Sequence, residues 1–327
     1  MTVSVRHFDG SIGELQVRQF PVNRVCPLAE QPAVQTLGWA SAASIAAQNP
    51  TYRDDYAQIL GISPDDEFPF VVGPTGFVYA GWLPPDDFLA RVYEDVIDHS
   101  RTITTTMAYR QALLELASSF FRLVAERRTG STQLRLLDFG CGYGALLDIM
   151  ASKEIISTGY EPSLQRSIRA VKDGSFSVLA SLDEVRLAAP FDLIVCTEVL
   201  EHVPDPREIL KLLKDIAEPS ALLALTVPQV EEREVLDMMV KLGSGKELPK
   251  VFNPWEHLNY FSAEKLRNLL EDCGFKVVRD YGSGLPTAAE ASFIGKESGF
   301  RQQIKTSARL FKRSLFRKPS TQLFCQC

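Results

Sequence analysis

From residue 134 onward, short apolar runs alternate with amphipathic stretches. The apolar runs are Leu134–Asp138, Ile155–Tyr160, Phe176–Ala180, Phe191–Cys196, Ala221–Val227 and Phe275–Asp280, with a short seventh near Ser292-Phe293-Ile294. Each is short enough for a strand, and several are apolar throughout, as strands buried on both faces are. Between them the pattern changes to helical spacing. Ala145–Ala151 follows the first run. Asp205-Pro206 with Glu208 forms a helix start before a third-turn periodicity, and Ser262 opens a helix that Gly274 ends. Strand and helix in alternation predict an α/β domain built on a doubly wound, mostly parallel sheet.

Upstream the pattern is less regular. Prolines at 21, 27 and 32 lead into the Ala-rich stretch Trp39–Gln48, and Tyr52–Leu60 reads as a short helix. Phe68–Val72 and Phe77–Ala80 read as a hairpin about Gly73-Pro74-Thr75-Gly76. Pro85–Asp98 places Phe88, Val92 and Val96 on one helical face, and Thr104–Arg128 does the same with Leu113, Leu116, Phe120 and Leu123. Residues 229–258 are too long for a simple connection and form an insertion after a strand end, where specificity is commonly built.

The chemistry starts at the end of the first run. Asp138-Phe139-Gly140-Cys141-Gly142-Tyr143-Gly144 puts an acid and three alternating glycines between a strand and a helix. Glycine takes positive φ at little cost and lets a ligand approach the backbone. The third glycine comes one residue too early for a dinucleotide fingerprint. A second acid, Glu161, closes the second run 17 residues past Gly144, where a nucleoside site needs a carboxylate for ribose hydroxyls.

The D-x-G-x-G-x-G pattern resembles motif I of class I S-adenosylmethionine (SAM) dependent methyltransferases. The later string Phe191-Asp192-Leu193-Ile194-Val195, then Glu198-Val199-Leu200-Glu201-His202-Val203-Pro204-Asp205-Pro206, resembles their motif IV region. The resemblance covers roughly residues 134–282. It implies a seven-stranded Rossmann-like sheet with an irregular or helical N-terminal extension, and SAM as cofactor. It also implies roles. Asp138, Gly140, Gly142 and Gly144 hold the methionine end, Glu161 the ribose, and Ser181 and Leu182 flank the adenine. Thr197 and Glu198 line the sulfonium or acceptor side, and Tyr109 and Arg110 are available to cover the cofactor. Pro219-Ser220-Ala221 stands where the family has Pro-Gly-Gly.

A second resemblance lies upstream. Some small-molecule and sugar-type members open with a zinc ribbon, Cys-Pro-x-Cys and later Cys-x-x-Cys-Gly-[apolar]-Val-Tyr. Here Cys26-Pro27-Leu28-Ala29 and Gly73-Pro74-Thr75-Gly76-Phe77-Val78-Tyr79 keep that frame with three of four ligand positions lost. A tetrahedral zinc site needs about four ligands. The expectation is a zinc-less relic and no metal.

Composition narrows the partners. The six cysteines are scattered without a C-x-x-C pair, which reads as reduced thiols in the cytoplasm. Arg6, His7 and Asp9 argue against a signal peptide, and no apolar run reaches ~18 residues. Net charge is −6; residues 296–327 carry eight Lys/Arg and one acid, leaving −13 on residues 1–295. That argues against nucleic acid as a partner of the main body. Ile304, Ala308, Phe311 and Leu315 form a stripe in the basic tail. It suits a packed or solvated end better than membrane contact.

The divisions expected are 1–100, a ribbon-like and helical region; 101–295, the methyltransferase domain; and 296–327, a basic tail. The expected activity is methyl transfer to a small hydroxylated metabolite, a sugar or natural-product intermediate. The alternatives are a SAM-binding inactive scaffold and a macromolecular (RNA or protein) methyltransferase. His202 and His257 are the candidate bases, because histidine titrates near neutral pH. A structural role, bonding backbone for His202 and orienting the insertion for His257, is the alternative for each.

Overall fold

The structure is a computed structural model. It describes residues 2–6, 12–100, 114, 116, 117, 133–150, 155–163, 166–168, 176–244, 247–282 and 320–327. Two compact units divide the chain. Unit 1 takes Met1–Thr102, Glu201–Pro206 and Val230–Phe261, and unit 2 takes Ile103–Leu200, Arg207–Gln229 and Ser262–Cys327.

Unit 1 begins with an antiparallel pair, β1 (Thr2–Arg6) and β2 (Ile12–Gln16). Its main sheet has β3 (Gln35–Ser41), β4 (Glu67–Val72), β5 (Val78–Ala80) and β11 (Asn259–Tyr260), all antiparallel, in the order β11-β5-β4-β3. The hairpin expected about residues 73–76 is β4–β5. Its turn has Gly76 at φ 76°, where a side chain would be strained. The Ala-rich stretch is part strand, part helix: α1 spans Ala42–Gln48, with Ser41 Oγ accepting from Ser44 N at 3.2 Å. The expected helix at 52–60 shortens to α2, Tyr56–Leu60. α3 (Asp86–Arg91) runs into a π-helical turn, Val92–Val96.

The insertion folds into the same unit rather than standing apart from it. α7 (Glu232–Ser244) and the loop after it carry Trp255 and Phe252 into the N-terminal core. Trp255 is fully buried and packs edge-on to Phe68 and stacks on Tyr52. The expected contiguous region 1–100 is thus one part of a core that aromatic burial completes from residues 230–261. Cys26 is buried against the hairpin turn. A Cβ built on Gly73 would lie 2.5 Å from its Sγ, so only glycine permits that approach.

Unit 2 is the doubly wound sheet, ordered β12-β13-β10-β9-β6-β7-β8. β6 (Leu134–Phe139), β7 (Ile155–Tyr160), β8 (Ser177–Leu179), β9 (Phe191–Thr197) and β10 (Ala217–Pro228) pair in parallel. Their helices are α4 (Ala145–Met150), α5 (Leu182–Ala188), α6 (Pro206–Asp215) and α8 (Ala263–Asp272). β12 (Lys276–Gly282) and β10 flank β13 (Ser320–Gln326), which runs antiparallel to both. The strand order reverses at β6, whose neighbours are β7 and β9. Ligands of open α/β sheets bind at such a switch point, outside the carboxyl ends of the strands.

The end of the chain corrects the reading of 296–327 as one tail. Leu323, Phe324 and Cys325 are buried in sheet interior, so Ser320–Gln326 is a strand of the core. Its three successive buried residues follow a basic run and show no alternation, which hid them. The expected strand near 292–294, the amphipathic stripe at 304–315, Tyr109 and Arg110 lie outside the described residues.

Phe324 is fully buried beside Leu136, Leu222 and Ala224. Phe324→Ala is expected to lower unfolding stability by about 3–5 kcal/mol, measured as a fall in denaturant midpoint. A change within about 0.5 kcal/mol, typical of a surface site, would return the last strand to the status of a tail.

Candidate functional site

In unit 2 the glycine turn sits at the end of β6. Gly140, Gly142 and Gly144 all have positive φ, at 82°, 54° and 75°. Backbone bonds shape the turn: Gly140 N and Cys141 N donate to Tyr160 O at 2.8 and 2.9 Å, and Gly144 N donates to Cys141 O at 2.9 Å. A Cβ on Gly140 would come within 2.5 Å of Val199 Cγ2, so the turn is pressed against the loop after β9. A Cβ on Gly142 would meet nothing within 4 Å, so that face of the turn is open.

Two buried carboxylates stand beside it. Glu161, 5% exposed, accepts from Gly142 N through Oε2 and from Ser163 N through Oε1, each at 2.9 Å. Asp138 is 2% exposed, and its Oδ1 has no hydrogen-bond partner among the described residues. Burial, and secondarily the Glu161 charge, pushes its pKa up to about 7. A buried acceptor without a donor costs stability. An open glycine turn beside such an acceptor suits a ligand that brings an N–H or a positive charge.

The other residues expected on the cofactor side fall at the same strand ends. Thr197 is the last residue of β9. Glu198 adopts φ 53°, rare for a non-glycine residue, and is held by its N–H to Thr226 O at 2.9 Å and by Thr226 Oγ1 donating to its Oε1 at 3.0 Å. Ser181 caps α5: its Oγ accepts from Glu184 N at 3.2 Å, and Glu184 returns a carboxylate to Ser181 N at 3.0 Å. Its side chain is thus committed to the helix, and Leu182 beside it is half-buried.

In unit 1 the structure brings His202 and His257 together. Their rings lie edge to face with centroids 4.8 Å apart. His202 Nδ1 is 2.9 Å from Glu256 O and 2.9 Å from Tyr93 Oη; His257 Nδ1 is 2.9 Å from Val251 O. A carbonyl can only accept, so the bonds to Glu256 O and Val251 O belong to the Nδ1–H tautomers, while Tyr93 Oη donates to His202 Nδ1 only in the other tautomer. In the Nδ1–H tautomer Nε2 is the basic nitrogen. Glu201, 2% exposed, places Oε1 3.7 Å from His202 Nε2. One donor atom from each of Glu201, His202 and His257 lies within 4.8 Å of the others, a donor set that can also take a divalent cation.

Glu201 and His202, neighbours in one loop, face the same way. Tyr93, which the sequence did not single out, sits on the π-helical turn, a feature frequent at functional sites.

Because Asp138 holds its proton to about pH 7 in the folded chain, the folded state binds more protons than the unfolded one between roughly pH 4 and 7. Stability of the ligand-free protein is expected to fall as pH rises through that window. Asp138→Asn should flatten the fall, read from denaturant midpoints at pH 5 and pH 8. An unchanged slope in the variant would show that Asp138 titrates normally.

Comparison with known proteins agrees with the sheet. Ubiquinone biosynthesis O-methyltransferase of Escherichia coli O127:H6 is 32% identical over 104 residues, 29% of this chain and 43% of that protein. The protein of the same name from Haemophilus ducreyi is 29% identical over 151 residues, 42% of this chain and 63% of that one. The chain therefore spans about half the length of the curated relatives it matches. Among solved structures, the plantazolicin methyltransferase BamL, in complex with a triazolic desmethylPZN analog and SAH, superposes with a TM-score of 0.51 at 15% identity, covering 72% of this chain and 93% of that one. BpumL with SAH gives 0.51 at 13%, covering 73% and 93%. The family model described as a methyltransferase domain matches residues 108–280, more than half of the chain, and the chain belongs to that family.

Proposed function

We propose that the chain is a SAM-dependent methyltransferase acting on a small hydroxylated metabolite, a sugar or natural-product intermediate. The observation that carries this reading is the open, positive-φ turn at Gly142 with Asp138 Oδ1 beside it, which has no partner among the described residues, at the switch point of the sheet. The names of the similar proteins, a ubiquinone biosynthesis O-methyltransferase and a plantazolicin methyltransferase, support the reaction class. They differ in acceptor, and fold does not fix substrate.

When bound, SAM supplies a methyl group on a sulfonium centre for in-line transfer. Asp138 and the glycine-turn backbone hold the methionine end. Glu161, held by Gly142 N and Ser163 N, stands at the ribose end. Ser181 and Leu182 flank the adenine by position, and Thr197 and Glu198 line the transfer side. The rigid anchoring of Glu198 to Thr226 keeps that edge in one place, and alignment supplies much of the acceleration in such a reaction. His202 Nε2 takes the acceptor proton, with Nδ1 fixed on Glu256 O and Glu201 Oε1 3.7 Å from Nε2. His257 Nε2 is the second basic nitrogen of the same cluster.

We also read residues 20–80 as a zinc-less form of the ribbon found in sugar-type members. Two tight turns support it. Glu30 N donates to Cys26 O and Gly76 N to Gly73 O, with positive φ at Glu30 and Gly76, and Cys26 packs on Gly73.

Wild-type protein is expected to show a thermal shift with millimolar SAM, by mass action on the native state. Gly142→Val should abolish it, since the new side chain would enter the open face. His202→Ala should cut kcat by about 10²–10⁴, remove the fall in rate on the acid side, and leave SAM affinity near wild type. A wild type that shows no shift sinks the cofactor assignment; a His202→Ala enzyme with normal turnover returns His202 to structure.

Dialysis against EDTA should leave turnover unchanged, and elemental analysis should find no stoichiometric zinc. Loss of rate restored by a divalent ion would instead make Glu201, His202 and His257 a metal centre.

A further inference from the structure

The loops carrying His202 and His257 are joined by backbone bonds. Leu258 N and Asn259 N both donate to Glu201 O, at 2.6 and 3.0 Å. Through them runs a side chain from far upstream. Arg24, 6% exposed, donates Nη1 to Leu258 O at 2.6 Å, and Nη2 to Pro204 O at 2.6 Å and Asn259 Oδ1 at 2.7 Å. Asn259 Nδ2 in turn donates to Val203 O at 2.8 Å. One guanidinium thus grips the residue after His257 and a residue two past His202.

Its contacts are unusual for a buried charge. All its hydrogen bonds are to neutral oxygens, and among the described residues no carboxylate lies within ion-pair distance. Burial is costly enough to lower its pKa to about 10, with Tyr79, Tyr260 and Asp205 opposing the fall. A buried cation is normally kept only where it is paired. Here the fork geometry, which an ammonium cannot reproduce, matches three acceptors on two loops. Arg24 is itself fixed, with Arg24 N and Asn23 N donating to Gly81 O at 3.2 and 3.1 Å.

We propose that Arg24 is a positioning residue for the histidine pair: by clamping the 201–206 loop to the 251–259 loop it keeps His202 Nδ1 on Glu256 O, and so keeps Nε2 as the basic nitrogen. The proposal rests on the assignment of His202 as proton acceptor for its effect on rate, but not for its effect on the ring. The N-terminal segment thereby belongs to the catalytic apparatus without touching a reactant.

The test uses the full chain with ¹⁵N-labelled histidine, comparing wild type with Arg24→Lys, which keeps the charge and loses the fork, and with Asn259→Ala, which removes one of its acceptors. In wild type at alkaline pH, the His202 ring should be in the Nδ1–H form. In Arg24→Lys it should shift toward a mixture of both tautomers, with kcat down about 10–10²-fold, as small misplacements cost, and SAM affinity unchanged. Asn259→Ala should move the ring the same way to a smaller extent, and judges the proposal if Arg24→Lys does not fold. A folded Arg24→Lys, or failing that Asn259→Ala, with wild-type His202 ring signals overturns the proposal. Shifted ring signals with unchanged kcat would leave the clamp standing and remove His202 from proton transfer.

Discussion

Parallel pairing is the constraint from which the site follows. Because β6 to β10 run the same way, every loop that follows one of them leaves the sheet on the same edge. Asp138, Glu161, Ser181 and Glu198 are separated in sequence, yet Asp138 sits in the last two residues of its strand and the others follow theirs, so all reach that edge. The reversal of order at β6 opens the crevice there, and the glycine turn occupies it. A carboxylate at the end of β6 is then forced into burial. It is 2% exposed with an unused oxygen. Leaving a buried acceptor without a donor costs stability, and a ligand donor at that position would offset the cost.

The second constraint is aromatic packing in unit 1. Tyr52, Phe68, Trp82, Phe88 and Trp255 pack ring on ring, with Trp255 supplied by the insertion. That packing sets the Asn253–His257 turn. Asn253 Nδ2 and Asn49 Nδ2 donate to Glu256 Oε1 at 3.1 and 3.0 Å, and Tyr52 Oη joins them. The Glu256 side chain is thereby anchored, and its backbone carbonyl is left to receive His202. Core packing and orientation of a proposed base are here the same set of contacts.

What could be read from the sequence follows its periodicity. β6, β7 and β9 end within one residue of the apolar runs that predict them, because buried parallel strands leave a contiguous signal. The glycine turn was legible because its residue types are dictated by backbone angles. Three kinds of feature were not legible. β13 carries three consecutive buried residues after a basic run, and its partners β10 and β12 lie some 40 or more positions upstream. Ser181 was assigned by its position after β8, whereas its hydroxyl is used by the capping box of α5. Arg24, Tyr93 and Glu256 act through contacts to residues 100 to 235 positions away or through a backbone carbonyl, and neither leaves a local pattern.

The two loops that carry the histidines show how such long-range terms can matter more than local ones. Neither 201–205 nor 251–258 contains a helix or strand. Each is held instead by donors aimed at its carbonyls: Leu258 N and Asn259 N on Glu201 O, Arg24 on Pro204 O and Leu258 O, His202 on Glu256 O. A loop fixed through its carbonyls is held by bonds that do not depend on the identity of the side chains at those positions. Glu201 shows the division within one residue. Its backbone oxygen takes two amide donors, while its carboxylate stands beside His202 Nε2. Substituting that side chain would therefore test its charge while leaving the loop's backbone bonds in place.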